Sequence, residues 1–224
     1  MNTAIIQARM GSSRLPNKMM LHLHGYSVVE WVYSRVKKSS KVAQVVFAIP
    51  DTAQDDVLAW YLQSIGANIY RGSEADLVDR FYKAAKKYKA SNVIRICADN
   101  PLVCASEIDR LIDFYSNNMC DYAYNHIPKD NRYPDGLGAE ICSVDVLQEI
   151  HNKATTSEHR EHIFNYIWDN LSQYQIKTLD PPSELAHPYL KLDLDTMQDY
   201  NNLMNKPYDI TMSASDIVST ALKR

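Results

Sequence analysis

The sequence predicts an α/β layer fold with a central, mostly parallel sheet. Two observations favour this class. Short apolar runs rich in β-branched residues alternate with segments whose apolar residues recur at helical spacing, and turn-forming residues separate the two kinds of segment. With 224 residues, of which 46% are apolar, the chain can bury a sizeable core, so we expect a single domain that spans residues 1–224.

Strands and helices alternate most regularly in the first half. Asp51 and Thr52 can cap the second helix, Gly66 can end it, and Ser73 with Asp76 has the spacing of a capping box for the third. Strands are predicted at residues 3–8, 45–49, 67–70 and 92–97. The apolar stripes of the helices are Val28, Val29, Val32 and Val36, then Val57, Leu58, Tyr61 and Leu62, and then Leu77, Phe81, Ala84, Ala85 and Tyr88.

The pattern is less regular after Pro101. A polar loop is predicted at residues 128–138, and no internal repeat or low-complexity tract marks a second domain. We expect helices at residues 107–115, 144–150 and 160–171, strands at 121–124, 174–179 and 189–192, and two short helices near the end of the sequence.

Charge and cysteine usage disfavour several classes of function. The chain carries 24 Lys and Arg against 27 Asp and Glu, a net charge of −3, so no basic field favours a nucleic acid partner. Its four cysteines form no C-x-x-C pair, which argues against a zinc ribbon and a disulfide framework and favours a reducing cytoplasm. No apolar run reaches the length of a membrane span or a signal peptide, so no membrane partner is expected.

A loop rich in cations and small residues follows the first predicted strand, at residues 7–18. It has neither the spacing of a Walker A loop nor that of a Rossmann glycine motif. Its small residues can bring N–H and hydroxyl donors close to a polyphosphate, and its three cations can neutralise the charge. A solvated loop with scattered charges is the alternative. The candidate phosphate-binding residues are Ala8, Arg9, Gly11, Ser12, Ser13, Arg14 and Lys18.

Three aspartates are candidate metal ligands. Asp99 follows a predicted strand, at the place where α/β active sites commonly lie. Asp193 and Asp195 alternate on a predicted extended segment, so their side chains are expected on one face. Together the three carboxylates could supply hard oxygen ligands to magnesium. Alternatively, Asp99 is a turn former before Asn100, and the other two are surface residues or a helix cap.

In combination, these motifs resemble the spore coat polysaccharide biosynthesis protein F family, which is cytidylyltransferase-like and related to the enzymes that make CMP-sialic acid and CMP-Kdo. Residues 8–18 are similar to the opening motif of that family. The resemblance implies a Rossmann-like three-layer nucleotidyltransferase fold of the glycosyltransferase-A type. Further matches follow in the same order along nearly the whole chain, at residues 71–81, 98–102, 133–137, 160–162 and 193–199.

By this resemblance we expect a magnesium-dependent enzyme that transfers CMP from CTP to a small acidic acceptor and releases pyrophosphate. The acceptor implied is an acidic sugar of surface polysaccharide or glycan synthesis. Residues 1–120 would form the nucleotide-binding half, and residues 121–224 would supply acceptor contacts, metal ligands and a homodimer interface. The implied catalytic residues are Arg9, Arg14, Lys18 and Asp99, and the metal ligands are Asp99, Asp193 and Asp195.

The remaining candidates are contacts to the nucleoside and to the acceptor. Gly72, Asp76 and Arg80 match the nucleoside-side segment, although Asp76 and Arg80 also have the spacing of an exposed salt bridge within one helix. An acceptor pocket is expected from Asp135, Glu140, Arg160, Glu161 and His162. A polar helix start is the alternative for residues 160–162. Arg95 could face either way and is left outside the site.

Three other functions compete with cytidylyl transfer. A sugar-phosphate nucleotidyltransferase normally opens with a Gly-Gly loop, which residues 7–9 lack. A glycosyltransferase could use residues 193–195 as a D-x-D metal motif, but the motif comes late and the cationic loop suits a free triphosphate better. A non-catalytic nucleotide-binding module would bind CTP without releasing pyrophosphate.

Overall fold

A seven-stranded mixed sheet forms the centre of the computed structural model, which describes residues 1–223. Within that range the strands are β1 (Asn2–Gln7), β2 (His22–Leu23), β3 (Tyr26–Ser27), β4 (Gln44–Pro50), β5 (Asn68–Gly72), β6 (Asn92–Cys97), β7 (Tyr122–Tyr124), β8 (Glu140–Ser143) and β9 (Ile176–Thr178). The helices are α1 (Val28–Val36), α2 (Asp56–Ser64), α3 (Leu77–Lys87), α4 (Ala105–Asn117), α5 (Val144–Lys153), α6 (Ser157–Glu161), α7 (Asn165–Asp169), α8 (Met197–Met204) and α9 (Ala214–Leu222). Strands β2 and β3 pair separately as a short hairpin.

The sheet has the strand order β5-β4-β1-β6-β8-β7-β9. Strands β5, β4, β1 and β6 are parallel, β8 runs antiparallel to both of its neighbours, and β9 is parallel to β7. Since the carboxyl ends of parallel strands share an edge, the loops after β1, β4 and β6 emerge at the same edge of the sheet. The α/β class with a mostly parallel mixed sheet is confirmed.

Alternate side chains of β1 pack into two helical layers, one on each face of the sheet. Ile6 belongs to the core that contains Val32 of α1, whereas Ile5 belongs to the core that contains Phe81 of α3 and Leu147 of α5. All five side chains are fully buried, and each such burial contributes about 1.5–3 kcal/mol to folding. The end of β1 is therefore held firmly on both sides. Across residues 1–223, no helix has the length and apolar character to cross a membrane.

The helix predicted at residues 160–171 is two short helices. Thr156 caps α6 by accepting a hydrogen bond from the His159 backbone N–H, so the helix begins three residues earlier than expected. His162 then adopts an extended backbone that ends α6, and α7 starts afresh at Asn165. The second helix, by contrast, begins later than its predicted cap at Asp51 and Thr52: it starts at Asp56, because a single 3-10 turn at Ala53–Asp55 precedes it.

One strand prediction in the second half is wrong, and one strand was not predicted. Residues 189–192 are not a strand, since Pro188 precedes them and one bridge between Asp135 and Lys191 is the pairing they make within the described range. Conversely, β8 (Glu140–Ser143) was not expected, because its four residues carry too few apolar positions to show an alternating pattern. This strand inserts between β6 and β7 and brings Glu140 beside Arg95.

Candidate active site

A buried carboxylate anchors the loop that follows β1. Asp55 is 1% exposed, and its Oδ1 accepts a 2.7 Å hydrogen bond from the backbone N–H of Met10. Its Oδ2 accepts a 2.7 Å bond from the Thr52 hydroxyl. The side chains of Met10 and Leu15 are buried on either side of the small residues. Asp55 thus fixes the loop backbone, a role that no sequence motif indicated.

A cleft of about 170 Å³ lies between this loop, the end of β6 and the segment before α8. Every candidate of the cationic loop lines it, and Asp99 and Asp195 face it from the other side. Gln7, Met19 and Cys97 also line it, although the sequence gave no reason to single them out. The lining residues are Gln7, Ala8, Arg9, Gly11, Ser12, Ser13, Arg14, Lys18, Met19, Cys97, Asp99 and Asp195.

The ammonium group of Lys18 lies between two carboxylates in this cleft. Its Nζ is 2.9 Å from Asp99 Oδ2 and 3.1 Å from Asp195 Oδ1, and it donates a third bond of 3.0 Å to the carbonyl of Leu194. Lys18 is 8% exposed, so the three acceptors replace the water that it loses on burial. Arg14 approaches Asp195 from solvent, with 3.0 Å between Nη2 and Oδ2.

Asp99 and Asp195 form a donor set suited to a divalent cation. Both carboxylates already converge on one positive charge, and the backbone bond of 2.7 Å from Leu194 N–H to the Asp99 carbonyl holds the two segments together. Magnesium is commonly bound by one or two carboxylates together with substrate phosphates and water. Within residues 1–223 no three His, Cys, Asp or Glu side chains are grouped as a complete metal site. Phosphate oxygens would have to complete the shell.

Asp193 does not join that pair of carboxylates. Its Oδ1 lies 3.3 Å from Lys191 Nζ, which also contacts Asp199 at 2.9 Å. Although buried, this Oδ1 accepts no hydrogen bond from the described residues. The sequence predicted that Asp193 and Asp195 lie on one face of an extended segment, but their side chains contact different partners. Burial raises the pKa of Asp193, although the charge of Lys191 opposes the shift.

Asp135 is brought to the same acidic region by pairing of its backbone with the 190–192 segment. Its N–H donates 3.0 Å to the Leu190 carbonyl, and its carbonyl accepts 3.0 Å from Leu192. Burial, followed by the charge of Asp193, raises the pKa of Asp135 to about 6. Next to it, Gly136 has φ +89°, and a Cβ there would lie 3.0 Å from the Asp193 backbone nitrogen. Glycine is required at this turn.

The segment from Gly72 to Arg80 lies beside the cationic loop. A Cβ on Gly11 would lie 3.6 Å from Glu74 Oε1. Arg80 is 2% exposed, donates 2.9 Å from Nη1 to the Ser73 carbonyl, and leaves Nε without a partner among the described residues. Burial, followed by the charge of Arg9, lowers the pKa of Arg80 to about 10. This buried arginine therefore makes no salt bridge to Asp76 on its own helix.

Asp76 is paired instead with Arg160. The guanidinium of Arg160 donates from Nε to Asp76 Oδ2 at 2.8 Å and contacts the same oxygen through Nη2, while Nη1 donates 2.8 Å to the His151 carbonyl. Asp76 also caps α3 by accepting a bond from Asp79 N–H. Arg160 thus ties α6 to the start of α3. Glu161 and His162 are exposed, and their side chains make no hydrogen bond to the described residues.

Glu140 is buried in a polar network at the end of β6. Its carboxylate pairs with Arg95 and accepts a 2.5 Å bond from the Tyr122 hydroxyl, and His126 Nε2 lies 3.6 Å away. Arg95 continues the network to Gln7, which lines the cleft. Glu140 is 4% exposed, and its side chain is connected to the cleft through Arg95 and Gln7. The sequence left Arg95 outside the site because a strand alone does not show which face is buried.

Comparison with known proteins identifies this arrangement. A family model described as cytidylyltransferase matches residues 3–219. The chain belongs to the cytidylyltransferase family. It is 31% identical to the spore coat polysaccharide biosynthesis protein SpsF of Bacillus subtilis over 89% of this chain and 83% of that protein. It is also 31% identical to a 3-deoxy-manno-octulosonate cytidylyltransferase of Bdellovibrio bacteriovorus, over 50% of this chain and 44% of that protein.

The solved structure of a cytidylyltransferase from Leptospira borgpetersenii has the same fold. The TM-score is 0.88 at 26% identity, and the alignment covers 97% of this chain and 92% of that one. The resemblance drawn from the sequence motifs is therefore confirmed at the level of the family, and the chain is a nucleotidyltransferase. The roles of the individual site residues remain predictions.

Proposed function

We propose that this protein transfers CMP from CTP to an oxygen of a small acidic sugar, of the 3-deoxy-ulosonic acid type, and releases pyrophosphate. The observation that carries the proposal is the cleft in which Lys18 lies between Asp99 and Asp195, and which Arg9 and Arg14 of the same loop also line. Cations and carboxylates lie together in this cleft, so it can contact both the phosphates and the metal ion of a metal-bound triphosphate. The acceptor class is supported by the match to the 3-deoxy-manno-octulosonate cytidylyltransferase.

The loop after β1 would bind the triphosphate. Arg14 is exposed and lies over the cleft, so its guanidinium is free to exchange part of its contact with Asp195 for phosphate oxygens. Ser12 and Ser13 line the same wall and can donate hydrogen bonds from their hydroxyls. Because Asp55 already fixes the backbone at Met10, the loop needs little further ordering when the triphosphate binds.

Asp99 and Asp195 would hold Mg²⁺. When bound there, the ion supplies positive charge against the α-phosphate and the departing pyrophosphate. Lys18 is hydrogen-bonded to both carboxylates and therefore keeps them at a fixed separation before any ion enters. As a partly buried cation at the base of the cleft, it also stabilises negative charge that develops on the leaving phosphates.

The acceptor oxygen would attack the α-phosphorus in line while the bond to pyrophosphate breaks, so no covalent enzyme intermediate is required. The chain's own contribution is to position the two substrates and to stabilise charge with Arg9, Arg14 and Lys18. We place the acceptor beside Asp135 and the ends of β6 and β8, on the side of Asp99 away from the Gly72–Arg80 segment. The CTP nucleoside is assigned to that segment.

The test is pyrophosphate release with magnesium, each of the four ribonucleoside triphosphates in turn, and a panel of 2-keto-3-deoxy sugar acids with other acidic acceptors. We expect release with CTP and with at least one sugar acid, and no release with ATP, GTP or UTP. Transfer from a preformed nucleotide-sugar without use of CTP would instead indicate a glycosyltransferase. Calorimetric binding of CTP with no release on any acceptor would indicate a non-catalytic nucleotide-binding module.

A further inference from the structure

The last residue of β1 has a side chain whose orientation is fixed. Gln7 Oε1 accepts two hydrogen bonds from Arg95, one of 3.2 Å from Nε and one of 3.0 Å from Nη2. Arginine has donors and no acceptor, so only the amide oxygen of Gln7 can face it. The amide nitrogen must therefore point away from Arg95. Among residues 1–223, Gln7 Nε2 donates no hydrogen bond, although Gln7 lines the cleft.

Arg95 is itself held from behind by buried groups. Its third nitrogen, Nη1, pairs with Glu140, whose carboxylate also accepts the 2.5 Å bond from the Tyr122 hydroxyl. Burial opposes ionisation of Glu140, but the charges of Arg95 and His126 together with the hydrogen bonds from Tyr122 and Arg95 outweigh it and lower the pKa of the carboxyl. Burial lowers the pKa of His126, so the neighbouring imidazole is neutral near pH 7. The charges of Arg95 and Glu140 cancel, so the network offers no net charge to a ligand.

The network reaches the cleft through Gln7. Arg95 is the cross-strand neighbour of Ile5 and Glu140, and Gln7 is the neighbour of Cys97, so all these side chains stand on one face of the sheet at the carboxyl end of β1 and β6. What the network presents to the cleft is therefore an amide group with two N–H donors in a fixed direction. Such a group recognises an oxygen that carries lone pairs, and a carboxylate most strongly.

The topology indicates which substrate lies there. The Gly72–Arg80 segment follows β5, two strands from β1 on one side of the sheet. Arg95 and Glu140 stand on β6 and β8, on the other side of β1. The bonds from Arg95 hold the amide oxygen of Gln7 on the β6 side of β1, where Cys97 and Asp99 also line the cleft, and the amide N–H groups point away from Arg95. A carboxylate of the second substrate fits that position better than a group of CTP.

We propose that Gln7 is a specificity-determining residue, whose amide N–H groups donate to the carboxylate of the acceptor, and that Arg95 and Glu140 are positioning residues for it. This inference rests on the proposed CMP transfer. It gives the acceptor's acidic group a neutral hydrogen-bond donor, so that the cations of the loop remain available to the triphosphate. It also gives buried Glu140 a role that does not require contact with substrate.

The test compares three variants by steady-state pyrophosphate release, with CTP and with the sugar acid that the wild type uses from the 2-keto-3-deoxy panel. Gln7→Met keeps the length of the side chain and removes the donors. It is expected to raise the KM for the sugar acid at least tenfold and to leave the KM for CTP within twofold. Gln7→Glu keeps an oxygen against Arg95 but places a negative charge before the acceptor, so its KM for the sugar acid should be higher still.

Gln44→Met is the matched control. Gln44 lies at the start of β4, at the opposite edge of the sheet, and its Nε2 donates to Thr3 Oγ1 and to the Tyr88 carbonyl. Its loss removes two hydrogen bonds and should lower the melting temperature with both KM values unchanged. The double variant Arg95→Met with Glu140→Gln removes both buried charges and frees the Gln7 side chain to rotate. It should raise the KM for the sugar acid in the same direction as Gln7→Met, but less.

The outcomes separate the two proposals. An active wild type whose sugar-acid KM is unchanged in Gln7→Met, or changed equally with that for CTP, overturns the role of Gln7 and leaves CMP transfer standing. A wild type that binds CTP by calorimetry and releases no pyrophosphate with any sugar acid overturns CMP transfer, and the assignment of Gln7 falls with it. The ordered increase from wild type through Gln7→Met to Gln7→Glu supports both.

Discussion

Asp195 is the residue on which the charges of the cleft converge. One of its oxygens contacts buried Lys18 and the other contacts exposed Arg14, so a single carboxylate links the base of the cleft to its solvent-facing wall. The two cations differ in what they contribute to folding. Exposed ion pairs of the Arg14 kind contribute roughly 0–1 kcal/mol to stability, whereas removal of one partner from the buried pair costs more. Arg14 is therefore the cleaner test of function.

We expect Arg14→Ala to lose nearly all turnover with little loss of folding, and Asp99→Ala to lose nearly all turnover with a larger loss of stability, because it removes a partner of buried Lys18. Loss of one group that stabilises developing charge lowers kcat about a hundredfold to a thousandfold. Lys41→Ala is the control, because Lys41 pairs with Asp113 at 2.8 Å on the surface and its carbonyl binds Asn2, at the opposite end of β1. Steady-state rates and melting curves check the prediction. Full activity in both Arg14→Ala and Asp99→Ala would refute these site assignments.

Asp135 predicts a pH dependence of stability. Its pKa is about 6 in the folded chain and about 3.9 in an unfolded one, so the folded state binds the proton more tightly. The stabilisation is complete below pH 4 and is lost as the pH rises through about 6. Two pKa units correspond to about 3 kcal/mol, and screening by solvent at this partly exposed carboxyl reduces the loss to roughly 2 kcal/mol.

Asp135→Asn cannot ionise and should not suffer that loss. The melting temperature of Asp135→Asn minus that of wild type is expected to be larger at pH 7.5 than at pH 5, when both proteins are measured with a metal chelator. The chelator removes any bound cation, which would otherwise neutralise Asp193 and the neighbouring carboxylates that raise the pKa of Asp135. A difference in melting temperature that is the same at both pH values would contradict the cause assigned to the shift.

At the scale of elements, short irregular segments form most of the cleft. The 190–195 segment is not a strand, yet it places Asp195 opposite the loop because its backbone binds Asp135 and Asp99. The close approach of Gly136 to the Asp193 backbone makes this possible. The sequence predicted a polar loop at residues 128–138 and acidic residues at 193 and 195, but the contact between these two segments joins parts of the chain that no local pattern relates.

Gly136→Ala tests that contact, and Gly25→Ala is its control. Both glycines have φ near +90°, so either substitution introduces backbone strain of about 1–3 kcal/mol. A Cβ at Gly25 meets nothing within 4 Å, whereas one at Gly136 would lie 3.0 Å from the Asp193 nitrogen. We expect both variants to melt earlier and Gly136→Ala alone to lose most of its activity. Equal activity in the two variants would show that displacement of the 193–195 segment does not matter.

At the scale of the whole molecule, the sequence predicted the layers well and the site in part. Short apolar runs suffice for β1, β4 and β6, because most residues of these strands are buried and the strands read as nearly continuous apolar segments. The edge strand β5 is only partly buried, and the turn residue Gly66 before it helps to mark it. The antiparallel β8 was missed because it is short, and with it the contact between Arg95 and Glu140. Burial of Lys18 between Asp99 and Asp195 joins residues 81 and 177 positions apart, so only the tertiary fold reveals it.

The family resemblance implies a homodimer whose interface lies in the second half of the chain. Within residues 121–223 five large apolar side chains are exposed, and their burial between two copies would stabilise a dimer: Leu171, Tyr189, Met197, Met204 and Leu222. We expect light scattering after size exclusion to give twice the chain mass of 25.6 kDa. A single species at the chain mass itself, over a hundredfold range of concentration, would refute the dimer.

The fate of the α-phosphate of CTP tests the central claim most directly. Wild-type protein, magnesium, pooled 2-keto-3-deoxy sugar acids and CTP labelled either at the α- or at the γ-phosphate would be incubated together, and the products separated. CMP transfer predicts the α label in a sugar-linked product and the γ label in pyrophosphate, in equal amounts, with neither formed by Asp99→Ala. Recovery of the α label as free CMP, or unchanged in CTP, would contradict the transfer of CMP to an acidic sugar.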